Sequence, residues 1–294
     1  MSKQSNPLFG VHSIMETPVL DERKWAKVPS QPTDGVLIDM EDTVAQSRKL
    51  EGRAAVVAAL ENRDYFGDRV LMSRPNALDT PWGYEDTVAL ARAGADTVLL
   101  PMVTSAADVR AYQRIFHDNG ADPLLVPAIE TPAGATNAEE IAAVDGVAAL
   151  TFGEGDLTAL MGIPIFEPDG TLNPMVVAAR SRVYLAAAAY GRAMFDIPFL
   201  PDLHDLDALR TRAAQLARMG ATGLFALYPP HVAVINDIYV PPAEEVAYAR
   251  RVVEAFETAA AKGDPAVQLD KKAVLIHDYK KARSLLARSS HAVA

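Results

Sequence analysis

The 294-residue chain contains no cysteine. Disulfides, thiolate nucleophiles and thiolate metal ligands are thereby excluded together, so any bound metal must use oxygen or imidazole donors. Basic residues are in the minority: 28 Lys and Arg stand against 38 Asp and Glu, a net charge of −10. A phosphate-binding surface needs clustered Lys and Arg, so no nucleic acid is expected as partner. Half of the residues are hydrophobic, yet no apolar run approaches the length of a membrane span, so no membrane contact is expected. The start, MSKQSNPLFG, has no basic head followed by an apolar core. No signal peptide is read there, and a cytoplasmic location is expected.

What is present is a rhythm. Apolar, β-prone runs occur at Leu8–His12, Val36–Asp39, Val70–Ser73, Thr97–Leu100, Leu124–Ile129, Ala148–Phe152, Ala193–Asp196 and Gly223–Leu227. Helical patterns fall between and after them, at Ser47–Leu60, Tyr84–Ala93, Ala106–His117, Asn137–Ala143, Met175–Tyr190, Leu206–Met219 and Ala243–Ala261. Several of the runs are apolar throughout, as in parallel strands covered on both faces. Strands alternating with helices through eight units predict an α/β chain folded as a (β/α)8 TIM barrel. An open doubly wound sheet is the alternative, but LFGVHSIMET is not the glycine-rich turn it would need after its first strand. The predicted division is a catalytic barrel over 1–262 and a C-terminal helical extension or lid over 263–294, opened by the turn signal Lys262-Gly263-Asp264-Pro265.

In such a barrel chemistry collects where strands exit. The predicted exits carry His12; Asp39, Glu41 and Asp42; Arg74 and Asn76; Glu130; Asp156; Asp196; and Tyr228. Glu130 and Asp156 follow adjacent strands, with no lysine beside them. They are read as a pair for a hard divalent cation, Mg2+ or else Mn2+, against the alternative of helix caps. Arg74, in a rim of acids, is expected to aim its fork at a carboxylate or a developing oxyanion. One of Asp39, Glu41 and Asp42 is expected to hold it, or to hold a metal-bound water; strand parity puts Asp39 and Glu41 on one side and Asp42 on the other. Lys49 either pairs with this cluster or lies exposed on its helix. Asn76 and Gly155 are candidate substrate contacts, Gly153 and Gly155 marking a close backbone approach or only a tight turn. Asp196 is a candidate for orienting a metal-bound water. His12, His204 and His231 lack ligand spacing.

The segments IDMEDTV, SRPN, LLPMV, IETPAGATNAEEIA, LTFGEGDLTALMG and FDIP, in this order, resemble the citrate lyase β-subunit-like branch of the HpcH/HpaI aldolase superfamily. The resemblance covers about Leu8 to Ala261. It implies a barrel assembled as a homotrimer or hexamer that uses magnesium to make or break a C–C bond. By motif it implies Glu130 and Asp156 as metal ligands and Arg74 as the arginine that steadies an enolate oxygen. Glu41 and Asp42 are then the acidic pair beside Arg74, and Asp196 the seventh-strand aspartate. The expected function is a metal-dependent lyase or aldolase that acts on a hydroxy acid or its acyl-CoA thioester and releases a 2-oxo acid such as glyoxylate or pyruvate. A β subunit of a citrate lyase-type complex, working on a carrier-protein-bound substrate, is the alternative. Three places depart from the family pattern: NPLFGVHS for RS-x-LFVPG, Leu227-Tyr228-Pro229 for I-H-P, and Leu275 where the lid pattern DGKMID-x-P has its acid. With an apolar residue there, hydrolysis of a thioester intermediate is not expected.

Overall fold

The structure, a computed structural model, describes residues 6–261 and 267–291. Eight parallel strands close a barrel in sequence order: β1 (Ser13–Pro18), β2 (Gly35–Asp39), β3 (Val70–Arg74), β4 (Thr97–Leu100), β5 (Leu124–Ile129), β6 (Ala149–Phe152), β7 (Ala193–Asp196) and β8 (Gly223–Ala226), with β8 pairing back onto β1. The crossovers carry α1 (Glu22–Trp25), α2 (Lys49–Glu61), α3 (Gly83–Arg92), α4 (Ala106–Asp118), α5 (Pro132–Thr136), α6 (Ala138–Ala142), α7 (Glu154–Met161), α8 (Pro174–Ala189) and α9 (Leu206–Met219). After β8 come α10 (Pro229–Tyr239), α11 (Ala243–Ala261), a hairpin of β9 (Val267–Leu269) and β10 (Lys272–Val274), and α12 (Ile276–His291). No helix among the described residues is long and apolar enough to cross a membrane.

The first strand is not where the apolar run suggested. Leu8 lies in a 3-10 turn, Pro7–Gly10, which Asn6 caps by accepting the Leu8 N–H. Proline at the start of that turn is pre-set for helical φ and gives up no ladder donor. Leu8 and Val11 are buried in the same core cluster as Ile14, Leu37, Met72, Val126 and Phe195, which is the barrel interior. His12 therefore precedes β1 and belongs to the opposite end of the barrel from the strand exits. Its N–H donates to Asp34 Oδ2 at 2.8 Å.

That interior explains how the site is built. Side chains on one face of a strand recur every second residue. Two residues beyond buried Ile14, Leu37, Met72 and Ala128 come Glu16, Asp39, Arg74 and Glu130. An apolar layer thus carries a charged layer above it, at the carboxyl ends of the strands.

The chain divides into two compact units, Met1–Asn236 and Asp237–Ala294. The boundary differs from the predicted 262/263, because α11 packs on α12 and β9 and belongs to the C-terminal unit. The predicted turn at Lys262–Pro265 lies outside the described residues. Within this unit Asp270 pairs with Arg251 at 2.6 Å, and Asp278 accepts the Leu275 N–H at 3.0 Å ahead of α12.

Candidate active site

Strand register makes the central ion pair. Asp39 and Arg74 are direct partners across β2 and β3. Asp39 is fully buried and takes Arg74 in a two-pronged grip, Nε to Oδ1 at 2.7 Å and Nη2 to Oδ2 at 2.9 Å. The strand ends at Asp39, whose oxygens then accept the N–H groups of Glu41 (2.8 Å) and Thr43 (2.9 Å). The parity expected for Glu41 and Asp42 is lost in that turn. Both reach the same atom, Arg74 Nη1, at 3.1 and 3.2 Å. A further carboxylate, Glu16 of β1, meets Nη2 at 3.1 Å. Sequence reading missed Glu16 because it placed the first strand five residues too early; the signal was a lone charge at inward parity in SIMETP.

Lys49 pairs with this turn, but through its backbone. Nζ donates to the carbonyls of Met40 (3.0 Å) and Glu41 (2.7 Å), and the residue is buried. Asn76 is buried too. Its Nδ2 donates to the Met40 carbonyl and to Asp86 at 3.0 and 2.6 Å, so its amide donors hold the second-exit turn in place.

Glu130 ends β5. Its Oε1 accepts the Met102 N–H at 2.7 Å. Gly153 is what lets it sit there: a Cβ on that residue would lie 2.8 Å from Glu130 Cβ and 2.9 Å from Oε2. A Cβ on Gly155 would meet nothing, so the space over the first turn of α7 is open. Asp156, in that turn, is exposed, and its carboxylate has no hydrogen-bond partner among the described residues. Glu130 and Asp156 thus present oxygen donors at neighbouring strand exits. No group of three or more His, Asp or Glu forms a ready cage among the described residues. The two carboxylates instead fit a cation that keeps waters and takes oxygens from its substrate.

The electrostatics point the same way. Burial, and then Asp156 and Asp42 against the opposing effects of the Met102 N–H and Arg74, push the Glu130 carboxyl up to about 7. Burial, opposed by Arg74 and reinforced by Asp42, pushes Glu41 up to about 8. Glu16 and Asp156 are also raised, desolvation being the largest cause in each. Asp39 alone is lowered: burial opposes its charge, but the charge and hydrogen bonds of Arg74 and two backbone N–H groups prevail.

Asp196 ends β7 away from this rim. It accepts Arg180 Nε at 2.9 Å, the Tyr184 hydroxyl at 2.7 Å and the Ile197 N–H at 2.7 Å. Arg180 also pairs with Glu154, the first residue of α7. His231 is buried with Nε2 at 2.8 Å from the Leu203 carbonyl, and His204 stacks on Tyr228 at 4.8 Å.

A barrel of eight parallel strands with carboxylates and one gripped arginine at its carboxyl rim is the architecture of an enzyme. Residues 18–229 match the family described as HpcH/HpaI aldolase/citrate lyase. The chain belongs to that family of lyases and aldolases. It is 31% identical over 289 residues to a (3S)-malyl-CoA thioesterase of Cereibacter sphaeroides, covering 98% of this chain and 97% of the relative. It is 34% identical over 266 residues to citrate lyase subunit beta of Escherichia coli, covering 88% and 86%. Among solved structures it resembles CitE of Mycobacterium tuberculosis in complex with magnesium, acetoacetate and coenzyme A, with a TM-score of 0.79 and 28% identity over 96% of this chain and 100% of that one.

Proposed function

We propose that this chain is a divalent-metal-dependent lyase that cleaves a C–C bond of a 3-hydroxy acyl-CoA or the corresponding free acid and releases a 2-oxo acid. The observation that carries this is the acid excess around Arg74 together with two raised, under-partnered carboxylates, Glu130 and Asp156. Mg2+ or Mn2+, when bound, would supply Lewis-acid polarisation of a carbonyl and offset the rim's negative charge. Glu130 and Asp156 would hold it. Arg74, fixed by Asp39, steadies the enolate oxygen that develops as the C–C bond breaks. Glu41 and Asp42 share Nη1 but differ in burial. Glu41, pushed up to about 8, holds a proton at neutral pH and is the donor to the enolate carbon. Asp42, the more open of the two, accepts the proton of the substrate hydroxyl. Asn76 and Lys49 keep the turn carrying both acids in place, and the open space over Gly155 admits substrate.

The test is product analysis on malyl-, citramalyl- and citryl-CoA and on their free acids, with magnesium and with EDTA. The expected products are an acyl-CoA and a 2-oxo acid, lost with EDTA. No metal-dependent cleavage of any member overturns the reading. A second reading is thioester hydrolysis, favoured by the (3S)-malyl-CoA thioesterase relative that matches nearly the whole chain. The same assay separates the two, since hydrolysis gives malate and free CoA. Work on a carrier-protein-bound substrate is tested by activity of the isolated chain. We also propose a cytoplasmic homo-oligomer, trimer or hexamer, which sedimentation of the purified protein tests.

A further inference from the structure

A guanidinium has five N–H donors, and protein carboxylates crowd every nitrogen of Arg74. Asp39 takes Nε and one Nη2 donor, Glu16 the other Nη2 donor at 3.1 Å, and Glu41 and Asp42 lie 3.1 and 3.2 Å from Nη1 as ion-pair contacts. A substrate anion reaches this arginine only where a carboxylate yields. Asp39 does not yield, being fully buried and held by two backbone N–H groups. The Nη1 edge does: its contacts are ion pairs without an aligned hydrogen bond, and the Asp42 side chain is 65% exposed. Glu16 remains, reaching Arg74 from the opposite flank with its side chain 19% exposed. Its second oxygen has no donor among the described residues.

We propose that Glu16 is a specificity-determining residue: it closes the Nη2 edge of Arg74 and sets the site against substrates with a carboxylate beyond the one taken with the metal. The inference rests on the lyase reading above. The first carboxylate of a 2-oxo acid goes with the cation. A second has Arg74 as its natural partner, because a guanidinium is built to fork a carboxylate. Glu16 already fills half of that fork. Six carboxylates surround one guanidinium at this rim, Glu16, Asp39, Glu41, Asp42, Glu130 and Asp156, and a divalent cation does not neutralise them. A substrate with an additional charge meets like charge at short range, which is how sites reject wrong partners.

The experiment is calorimetric titration of the magnesium-loaded full chain with pyruvate, which has one carboxylate, and oxaloacetate, which has two. Wild type is compared with Glu16→Gln and Glu16→Ala, with circular dichroism to show that the variants fold. The expected result is that wild type prefers pyruvate and that both variants narrow the preference about tenfold or more, a shift of about 1.4 kcal/mol, chiefly by tighter oxaloacetate binding. An unchanged ratio in a folded variant overturns the inference, as does an equal loss of both ligands, which would make Glu16 only a prop for Arg74. If neither oxo acid binds wild type with magnesium, the lyase reading itself falls and takes this inference with it.

Discussion

The buried arginines of this barrel fall into two clusters, and their company differs. Arg180, on α8, lies between Glu154 at the start of α7 and Asp196 at the end of β7, over the ring of Phe152 at 4.7 Å. Arg212 adds a second cation 3.7 Å from Glu154. Two carboxylates meet two guanidiniums, and the set is sealed from solvent except at Arg212. Arg74 has four carboxylates of its own and two more beyond them, in a rim open at Asp42 and Asp156. A sealed cluster with as many cations as anions has its charge balanced from within, so it fixes geometry. An acid-heavy, open one is where we propose that a cation binds, and burial raises the Glu41 and Glu130 carboxyls there. Perturbed groups occur in both clusters: burial and then the charge of Arg180 bring Arg212 down to about 10, and burial raises Asp196. Shifted titration therefore does not tell function from structure here. Charge balance and access do.

The sharpest way to break the comparison is to remove the acids that lack partners. Glu130→Gln and Asp156→Asn are each expected to abolish metal-dependent turnover while leaving the fold intact. Magnesium titration by calorimetry checks this, and retained affinity in both variants would show that the cation binds elsewhere.

Arg180→Met should act in the opposite sense, on stability. It leaves Glu154 and Asp196 buried without their cation, a loss of about 3–5 kcal/mol. Urea unfolding of this variant and of the triple variant Arg180→Met, Glu154→Gln, Asp196→Asn is the measurement. The triple variant should recover much of the loss. A single variant within about 1 kcal/mol of wild type would show that the cluster is not the tight, balanced unit described here.

Arg74→Lys keeps the charge and removes the planar fork, so Asp39 loses its two-pronged partner and the enolate its positioned donor. Turnover should fall roughly a hundredfold. Steady-state kinetics decides, and unchanged turnover would move Arg74 into the structural class with Arg180.

Much of this was legible in the sequence. Seven of the eight strands fall on the runs that predicted them, because a parallel barrel strand buried on both faces is apolar throughout. Arg74 and Glu130 stood out as charges that directly follow such runs, and Asp156 as one shortly after the next. The first strand did not show, because SIMETP has Glu16 in its middle, while PLFG looks like strand but lies in a capped turn. The Arg180 cluster was hidden for another reason. Its members come from α7, α8, β7 and α9, and no local pattern marks a helix arginine that will be buried against an acid 16 residues away.

The smallest effect concerns pH. Glu130 and Glu41 stand at about 7 and about 8 in the metal-free protein, both raised chiefly by burial. The unfolded chain gives up those protons near 4.5. Between that value and about 8 the folded state holds more protons than the unfolded one, so these two groups make the metal-free protein less stable as pH rises through that window. A divalent cation at Glu130 competes with the proton. At pH 8 the carboxylate is already free; at pH 6 the proton must leave first, which weakens apparent affinity about tenfold for a group titrating one unit higher. Magnesium at 100 times its dissociation constant adds about 2.7 kcal/mol, or roughly 5–10 °C in a barrel of this size. At pH 6 the same magnesium adds about half as much. Thermal melts at pH 6 and 8, with and without magnesium, measure the difference. Glu130→Gln should erase the magnesium increment at both pH values, and the Arg180→Met protein should keep it, displaced to a lower starting temperature. An increment that ignores pH, or that survives Glu130→Gln, would put the cation away from the rim and leave the acid excess around Arg74 without the counter-charge it calls for.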